Sequence, residues 1–137
     1  MKWVILLWIA LCSSCSIAGI VVVTAKETPV QVLTEQQVEN IFLSRTNRLP
    51  NGDLVVPLEL KKGKNRAEFY QRIAGKSPTQ LSAYWTTLVF SGRGRPPKGI
   101  GNLDSLVSKL EKTRGAISYL DEEEVPSELK VIYRFSN

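Results

Sequence analysis

The stretch IVVVTA, from Ile20 to Ala25, decides the fold class of this chain. Five of its six residues are β-branched, and β-branched side chains favour extended backbone over helix. A short apolar run of this kind is typical of a buried strand. We therefore predict that Ile20–Ala25 is the first strand of the folded domain.

The residues before this strand have the layout of a secretory signal. Lys2 supplies a positive charge, an apolar run covers residues 3–11, and small residues follow. Ser16 and Ala18 place small side chains at the −3 and −1 positions of a cleavage site after Ala18. The predicted division is a signal peptide over residues 1–18 and a single domain over residues 19–137.

Two other interpretations of the N-terminal segment stay open. Ser13-Ser14-Cys15 resembles the end of a bacterial lipobox, which would make residues 1–14 a lipoprotein signal and Cys15 the lipidated residue. The apolar run from Trp3 to Ala25 is also long enough to serve as an uncleaved membrane anchor. Each of the three interpretations implies that the domain is extracytoplasmic.

The composition excludes most catalytic chemistry. Histidine is absent, and the only cysteines, Cys12 and Cys15, lie in the N-terminal apolar segment. The domain therefore has no imidazole base, thiol nucleophile or Cys/His metal site. The acidic run Asp121–Glu124 lacks the spaced, converging ligands of a hard-metal site. We predict a protein that is not an enzyme and uses no cofactor.

Local signals divide the domain into alternating strands and helices. Thr34 with Gln37 and Ser77 with Gln80 form capping boxes, and Asn102 caps a further helix. Another helix is predicted at about residues 65–74, and strands at 54–60, 116–120 and 129–135. Pro57 predicts an edge or irregular position in its strand. This alternation predicts an α/β domain with a mixed sheet of about four to five strands flanked by helices.

Two basic segments are candidates for binding an anion. KKGKNR, residues 61–66, falls between a predicted strand and a helix start, where free amides and the helix dipole favour negative charge. SGRGRPPKGIG, residues 91–101, lacks the glycine spacing of a dinucleotide-binding turn. It is interpreted as a connector between helices, from which Arg93 and Arg95 could reach an oxyanion.

Several segments together resemble the short phosphate-type substrate-binding proteins of ABC transporters. They are VENIFLSRTNRLPNGDLVVPLEL, AEFYQRIAGKSPTQLSAYWTTLVFSGRGRPP and RGAISYL. The resemblance extends from Ile20 to Phe135 and implies a single lobe of the type 2 periplasmic-binding-protein-like fold. In the family a segment R-x-x-G-S-G-T grips phosphate before a helix. Here only Gly63 matches, since Leu60 stands at the arginine position and Lys64, Asn65 and Arg66 replace Ser-Gly-Thr.

The resemblance implies an extracytoplasmic solute-binding protein that recognises phosphate or another oxyanion. The expected ligand-binding residues are Gly63, Lys64, Asn65 and Arg66, with help from Arg93 and Arg95. Binding by one lobe should be weak, because a pocket normally surrounds most of a small ligand. An ABC transporter, another envelope protein or a second copy of the chain are the expected partners, and nucleic acid is not. The alternative is a non-catalytic envelope interaction module that keeps the fold without binding a ligand.

Overall fold

The computed structural model describes residues 19–136, so the predicted signal, Cys12 and Cys15 lie outside the described residues. The sheet has five strands in the order β3-β2-β4-β1-β5. The strands are β1 (Ile20–Ala25), β2 (Val56–Leu60), β3 (Lys98–Ile100), β4 (Ala116–Asp121) and β5 (Leu129–Arg134). The helices are α1 (Glu35–Phe42), α2 (Arg66–Ala74), α3 (Pro78–Phe90) and α4 (Leu103–Lys112), with a short 3-10 turn at Glu122–Glu124.

The sheet is mixed, as the sequence predicts. β1 runs antiparallel to its neighbours β4 and β5, whereas β2 runs parallel to its neighbours β4 and β3. The predicted α/β class and strand number are therefore confirmed. In the part of the chain that the structure describes, no helix is long and apolar enough to cross a bilayer.

The first strand is buried on both faces of the sheet. All six of its residues are buried, and alternate side chains point to opposite faces. Ile20 and Val22 join a core beneath α1, α2 and α3, whereas Val21 and Val23 join a second core beneath α4. The continuous β-branched run is thus explained, because neither face of β1 meets water.

The predicted helix starts are confirmed at three helices. Thr34 and Ser77 form complete capping boxes with Gln37 and Gln80, and the Asn102 side chain accepts a hydrogen bond from the Ser105 amide. Each cap satisfies an amide that the first helical turn leaves unpaired. These caps set the starts of α1, α3 and α4 on either side of the sheet.

The segment predicted as a connector between helices contains a strand. Lys98–Ile100 pairs in parallel with Leu58–Leu60 and forms β3 at the edge of the sheet. Three residues, one of them glycine, are too few to give a recognisable alternating pattern. β3 also explains Pro57, which pairs with β4 but precedes the part of β2 that pairs with β3. Pro57 thus has a strand partner on the β4 side alone, in a strand that is not itself at the edge.

Candidate functional site

The turn from residue 61 to residue 65 leaves the carboxyl end of β2 and enters α2. β2 is an interior strand that is parallel to both neighbours, and ligands of open α/β sheets bind at the carboxyl ends of such strands. Lys61, Lys62 and Lys64 are exposed, and none forms an ion pair within residues 19–136. The turn therefore presents uncompensated positive charge beside a helix start.

The start of α2 has no side-chain cap, in contrast to the other three helices. Asn65 occupies the cap position, but its side chain makes no capping hydrogen bond. Its amide nitrogen Nδ2 instead donates to Oδ1 of Asp121 at the end of β4, over 3.2 Å. The amides of the first turn of α2 therefore lack a side-chain acceptor, which is the local condition for binding an anion.

Gly63 is held tightly in this turn. Its amide donates to the carbonyl oxygen of Leu60 over 3.2 Å. A Cβ at this position would lie 3.3 Å from Oδ1 of Asn65 and 3.4 Å from the Leu60 carbonyl oxygen. A side chain would therefore crowd the turn, and glycine lets the backbone fold back close to Asn65.

Arg66 is engaged by an internal carboxylate. Its Nε lies 3.4 Å from Oε1 of Glu59, and its guanidinium lies 5.4 Å from the centre of the Tyr70 ring. The hydroxyl of Tyr119 donates to Oε2 of Glu59 over 2.8 Å. Glu59 is buried, with only 8% of its surface exposed. Arg66 is therefore not a free cation, because much of its charge is balanced from inside the protein.

The two tyrosines beside Glu59 are held in their neutral form. Burial raises the pKa of the Tyr119 hydroxyl far above its ordinary value, and the Glu59 carboxylate and its hydrogen bond raise that pKa further. Burial, followed by the charge of Glu59, likewise raises the pKa of Tyr70. Tyr119 therefore remains a hydrogen-bond donor to Glu59 across the physiological pH range.

The arginines of the second basic segment lie toward the opposite end of β2. Lys98 is level with Leu58 in the parallel register, so Arg95 and Arg93 precede β3 on the amino side. The five residues of β2 span roughly 13 Å at about 3.3 Å per residue. The structure does not bring Arg93 and Arg95 together with Gly63–Arg66, because the length of strand β2 lies between the two groups.

Arg95 and Arg93 also differ from each other. Both side chains are exposed, but Arg95 lines a groove of about 380 Å³ at the amino end of β2, together with Lys98, and Arg93 does not. The predicted pair therefore contains one residue that lines the groove and one that does not. Because β3 follows directly, the position of Arg95 depends on strand pairing that the sequence pattern does not reveal.

Sequence reasoning missed the acidic side chains beside the β2–α2 turn. Glu59 is a lone acid in the apolar stretch LVVPLEL, and a single charge in such a stretch is the one sequence feature that indicates a buried carboxylate with a partner. Asp121 stands in the sequence as the first residue of an acidic run, but in the structure it ends β4 and accepts a hydrogen bond from Asn65. The described residues contain no group of three or more His, Cys, Asp or Glu side chains that could hold a metal ion.

The strand order and the helices around this sheet define a class, namely one lobe of the fold of phosphate substrate-binding proteins. A protein from Clostridium perfringens, described as a phosphate ABC transporter substrate-binding protein with bound phosphate, matches with a TM-score of 0.62 and 18% identity. A phosphate transport receptor from Vibrio cholerae matches at 0.55 and 13%, and PstS from Borrelia burgdorferi at 0.53 and 11%.

The similarity is one of fold and covers part of each relative. Each alignment includes 84% of this chain but only 44%, 45% and 46% of the three neighbours, in the same order. The chain thus spans less than half the length of these proteins. No family model matches the sequence, and no curated protein matches it. The resemblance predicted from sequence is confirmed at the level of the fold.

Proposed function

We propose that this chain is an extracytoplasmic solute-binding protein of the phosphate-transport type, which binds phosphate or a similar oxyanion weakly at Gly63–Arg66. The observation that carries the proposal is the uncapped start of α2 at the carboxyl end of β2. Backbone amides there can donate to an anion, and Lys64 lies beside them as an exposed cation. Phosphate named as the ligand of proteins with this fold supports the choice of anion.

The acidic neighbours of the turn support weak rather than tight binding. The Glu59 carboxylate accepts a hydrogen bond from Arg66, and the Asp121 carboxylate accepts one from the Asn65 side chain. An incoming anion would have to compete with these carboxylates, and like charges at short range repel. The chain also aligns with less than half of each receptor it resembles, and a pocket normally surrounds most of a small ligand, so binding at this turn alone should be weak.

The proposed location and partners follow from the N-terminal segment and the fold together. The secretory layout of residues 1–18 directs the domain out of the cytoplasm, and Cys15 could carry a lipid anchor. The proposed partners are an ABC transporter, another envelope protein or a second copy of the chain. In this function the protein binds and releases its ligand without chemistry.

Isothermal titration of the purified protein with phosphate and sulfate tests the proposal. We expect a dissociation constant near the millimolar range and a loss of about tenfold in Lys64→Gln, since that change removes the cation beside the helix start. Lys26→Gln is the matched control, because Lys26 is an exposed lysine on another loop. The absence of both heat and a thermal shift at millimolar anion would contradict the proposal.

A second variant tests the competition from the internal carboxylate. Glu59→Gln keeps the side-chain volume but removes the negative charge that engages Arg66. Phosphate binding should then strengthen by about tenfold, because the guanidinium becomes available to the anion. Glu68→Gln provides the control, since Glu68 is an exposed acid in the first turn of the same helix. Equal affinities for the two variants would show that Glu59 does not oppose the anion.

A further inference from the structure

A groove at the amino end of β2 is independent of the β2–α2 turn. It has a volume of about 380 Å³ and lies between the end of α1, the start of β2 and the loop that precedes β3. Its polar lining residues include Ser44, Asn47, Arg95 and Lys98, and its apolar lining residues include Ile41, Val55, Pro57 and Pro96. A lining that combines cations with apolar side chains is the composition expected for binding an amphipathic anion.

Close packing holds the walls of this groove in place. A Cβ at Gly94 would lie 2.6 Å from Oγ of Ser44 and 2.9 Å from Cδ2 of Leu88, so only glycine allows the loop to approach this closely. Ser44 itself adopts a left-handed backbone with φ of 58°. The Tyr84 hydroxyl donates to the carbonyl oxygen of Leu43 over 2.6 Å and ties α3 to the end of α1. The groove is therefore formed before any ligand arrives, which lowers the entropic cost of binding.

The positive charges of the groove are uncompensated. Neither Arg95 nor Lys98 has an ion-pair partner in the part of the chain from residue 19 to residue 136. None of the residues that line the groove is acidic. This contrasts with Arg66, whose guanidinium lies against Glu59. The groove can therefore offer two full positive charges and a hydroxyl donor to a ligand.

We propose that this groove binds a phosphate monoester carried on an apolar group. Arg95 and Lys98 would neutralise the phosphate, which carries about −1.5 to −2 charges at neutral pH and so matches two cations better than a carboxylate does. Pro57 and Pro96 would cover the apolar group. Such a ligand could be a soluble small molecule or the headgroup of phosphatidic acid at a membrane surface.

A titration followed by two-dimensional ¹H–¹⁵N NMR tests the proposal on the full chain, with phenyl phosphate and inorganic phosphate as probes. Phenyl phosphate should shift the amides of Ser44, Gly94 and Lys98, and should bind about tenfold more tightly than inorganic phosphate because its ring is buried. The amides of Gly63–Asn65 should not follow the same phenyl phosphate isotherm. Shifts confined to Gly63–Asn65, or no shifts at either place, would overturn the proposal.

Variants separate this groove from the β2–α2 turn. Arg95→Gln and Lys98→Gln should each weaken phenyl phosphate binding by about tenfold. Arg93→Gln should leave it unchanged, because Arg93 belongs to the same loop but does not line the groove. Lys64→Gln should weaken any response of Gly63–Asn65 but leave the phenyl phosphate isotherm of the Ser44, Gly94 and Lys98 amides as it is, so the two sites can fail independently. All four substitutions change exposed side chains, and equal binding by wild type and the Arg95→Gln/Lys98→Gln double variant would overturn the assignment.

Sedimentation with vesicles distinguishes the two sources of the ligand. The probes are phosphatidylcholine vesicles with and without phosphatidic acid. Binding that requires phosphatidic acid and is lost in the Arg95→Gln/Lys98→Gln variant supports a lipid headgroup as the ligand. Phenyl phosphate binding without vesicle binding supports a soluble ligand. Vesicle binding that persists in the double variant, together with no response to phenyl phosphate, would overturn the groove as the site.

Discussion

Basic residues lie near both ends of strand β2, but only at one end does an acidic side chain balance an arginine. At the carboxyl end, Arg66 contacts the buried carboxylate of Glu59, which also accepts the Tyr119 hydroxyl. At the amino end, Arg95 and Lys98 line a groove that has no acidic residue in its walls. Both ends of the strand look basic in the sequence, yet only the amino end leaves an arginine free of an ion pair.

The difference shows that a basic segment cannot be assigned to anion binding from its own composition. The decisive groups at the carboxyl end are carboxylates contributed by β2 itself and by β4. An arginine beside a buried carboxylate stabilises the fold, whereas an arginine in an unopposed groove remains available to a ligand.

The largest expected effect is at the amino end, in Gly115→Ala. A Cβ at Gly115 would overlap the carbonyl oxygen of Leu54, and φ there is 78°, which disfavours any side chain. Because backbone must move to relieve the overlap, we expect a loss of about 3–5 kcal/mol in the free energy of unfolding. Urea denaturation measures it.

Gly101→Ala is the matched control for that substitution. A Cβ at Gly101 would meet no atom within 4 Å, and its φ is not positive. Its free energy of unfolding should therefore stay within about 0.5 kcal/mol of the wild type. If the two alanine variants unfold at the same urea concentration, the backbone at Gly115 does not approach the Leu54 carbonyl as closely as described.

The next largest effect is expected at the carboxyl end of β2, where the free energy of unfolding should depend on pH. The folded-state pKa values of Tyr70 and Tyr119 lie above the ordinary value of 10.0. Their contribution to the free energy of unfolding is therefore fully present below pH 10 and decreases as the pH rises above 10. The unfolded chain releases protons in that range and the folded chain keeps them. The free energy of unfolding should fall by up to about 1.4 kcal/mol per pH unit for each tyrosine.

Urea unfolding between about pH 9 and pH 11 checks this expectation. Tyr119→Phe removes one of the raised groups, so the alkaline loss of stability should become less steep by up to about 1.4 kcal/mol per pH unit. Tyr70 and Tyr133, whose pKa values are also raised, account for the remainder of the slope. An unchanged slope in Tyr119→Phe would show that the hydroxyl beside Glu59 ionises as readily in the folded protein as in the unfolded chain.

A smaller effect is expected at the groove, in Gly94→Ala. The new methyl group would press on Oγ of Ser44 and on Leu88, and these side chains can move part of the way. We expect a loss of about 2 kcal/mol in the free energy of unfolding, measured in urea beside the same Gly101→Ala control. Full stability in Gly94→Ala would mean that the loop does not pack against the end of α1.

The smallest effect is expected from Tyr84→Phe. This change removes the hydroxyl that donates to the Leu43 carbonyl but keeps the ring, over which the ammonium of Lys76 lies at 5.0 Å. The free energy of unfolding should fall by about 1 kcal/mol, the usual cost of one hydrogen bond. A loss above roughly 3 kcal/mol would point to a role of Tyr84 beyond this bond.

Much of the fold could be predicted because its signals are local. The β-branched run at Ile20–Ala25 predicts β1, and the caps at Thr34, Ser77 and Asn102 set three helix starts. Each signal depends on residues within one turn or one strand of each other. β3 was missed because it consists of three residues that are defined by pairing with β2.

The candidate sites were less accessible to prediction because their contacts are distant in sequence. Tyr119 lies 60 positions from Glu59, and Asp121 lies 56 positions from Asn65. No local pattern indicates that Arg66 is engaged by an internal acid. The placement of Arg95 at the amino end of β2 likewise required the parallel register of β3.

The sequence by itself determined the α/β class, the buried first strand, the helix starts and the absence of histidine. These follow from side-chain shape and hydrogen-bonding groups that act over a few residues. The tertiary structure alone decided which basic residues are neutralised and which face a groove. Charge compensation depends on distance through space, and strand pairing sets that distance for residues far apart in the chain.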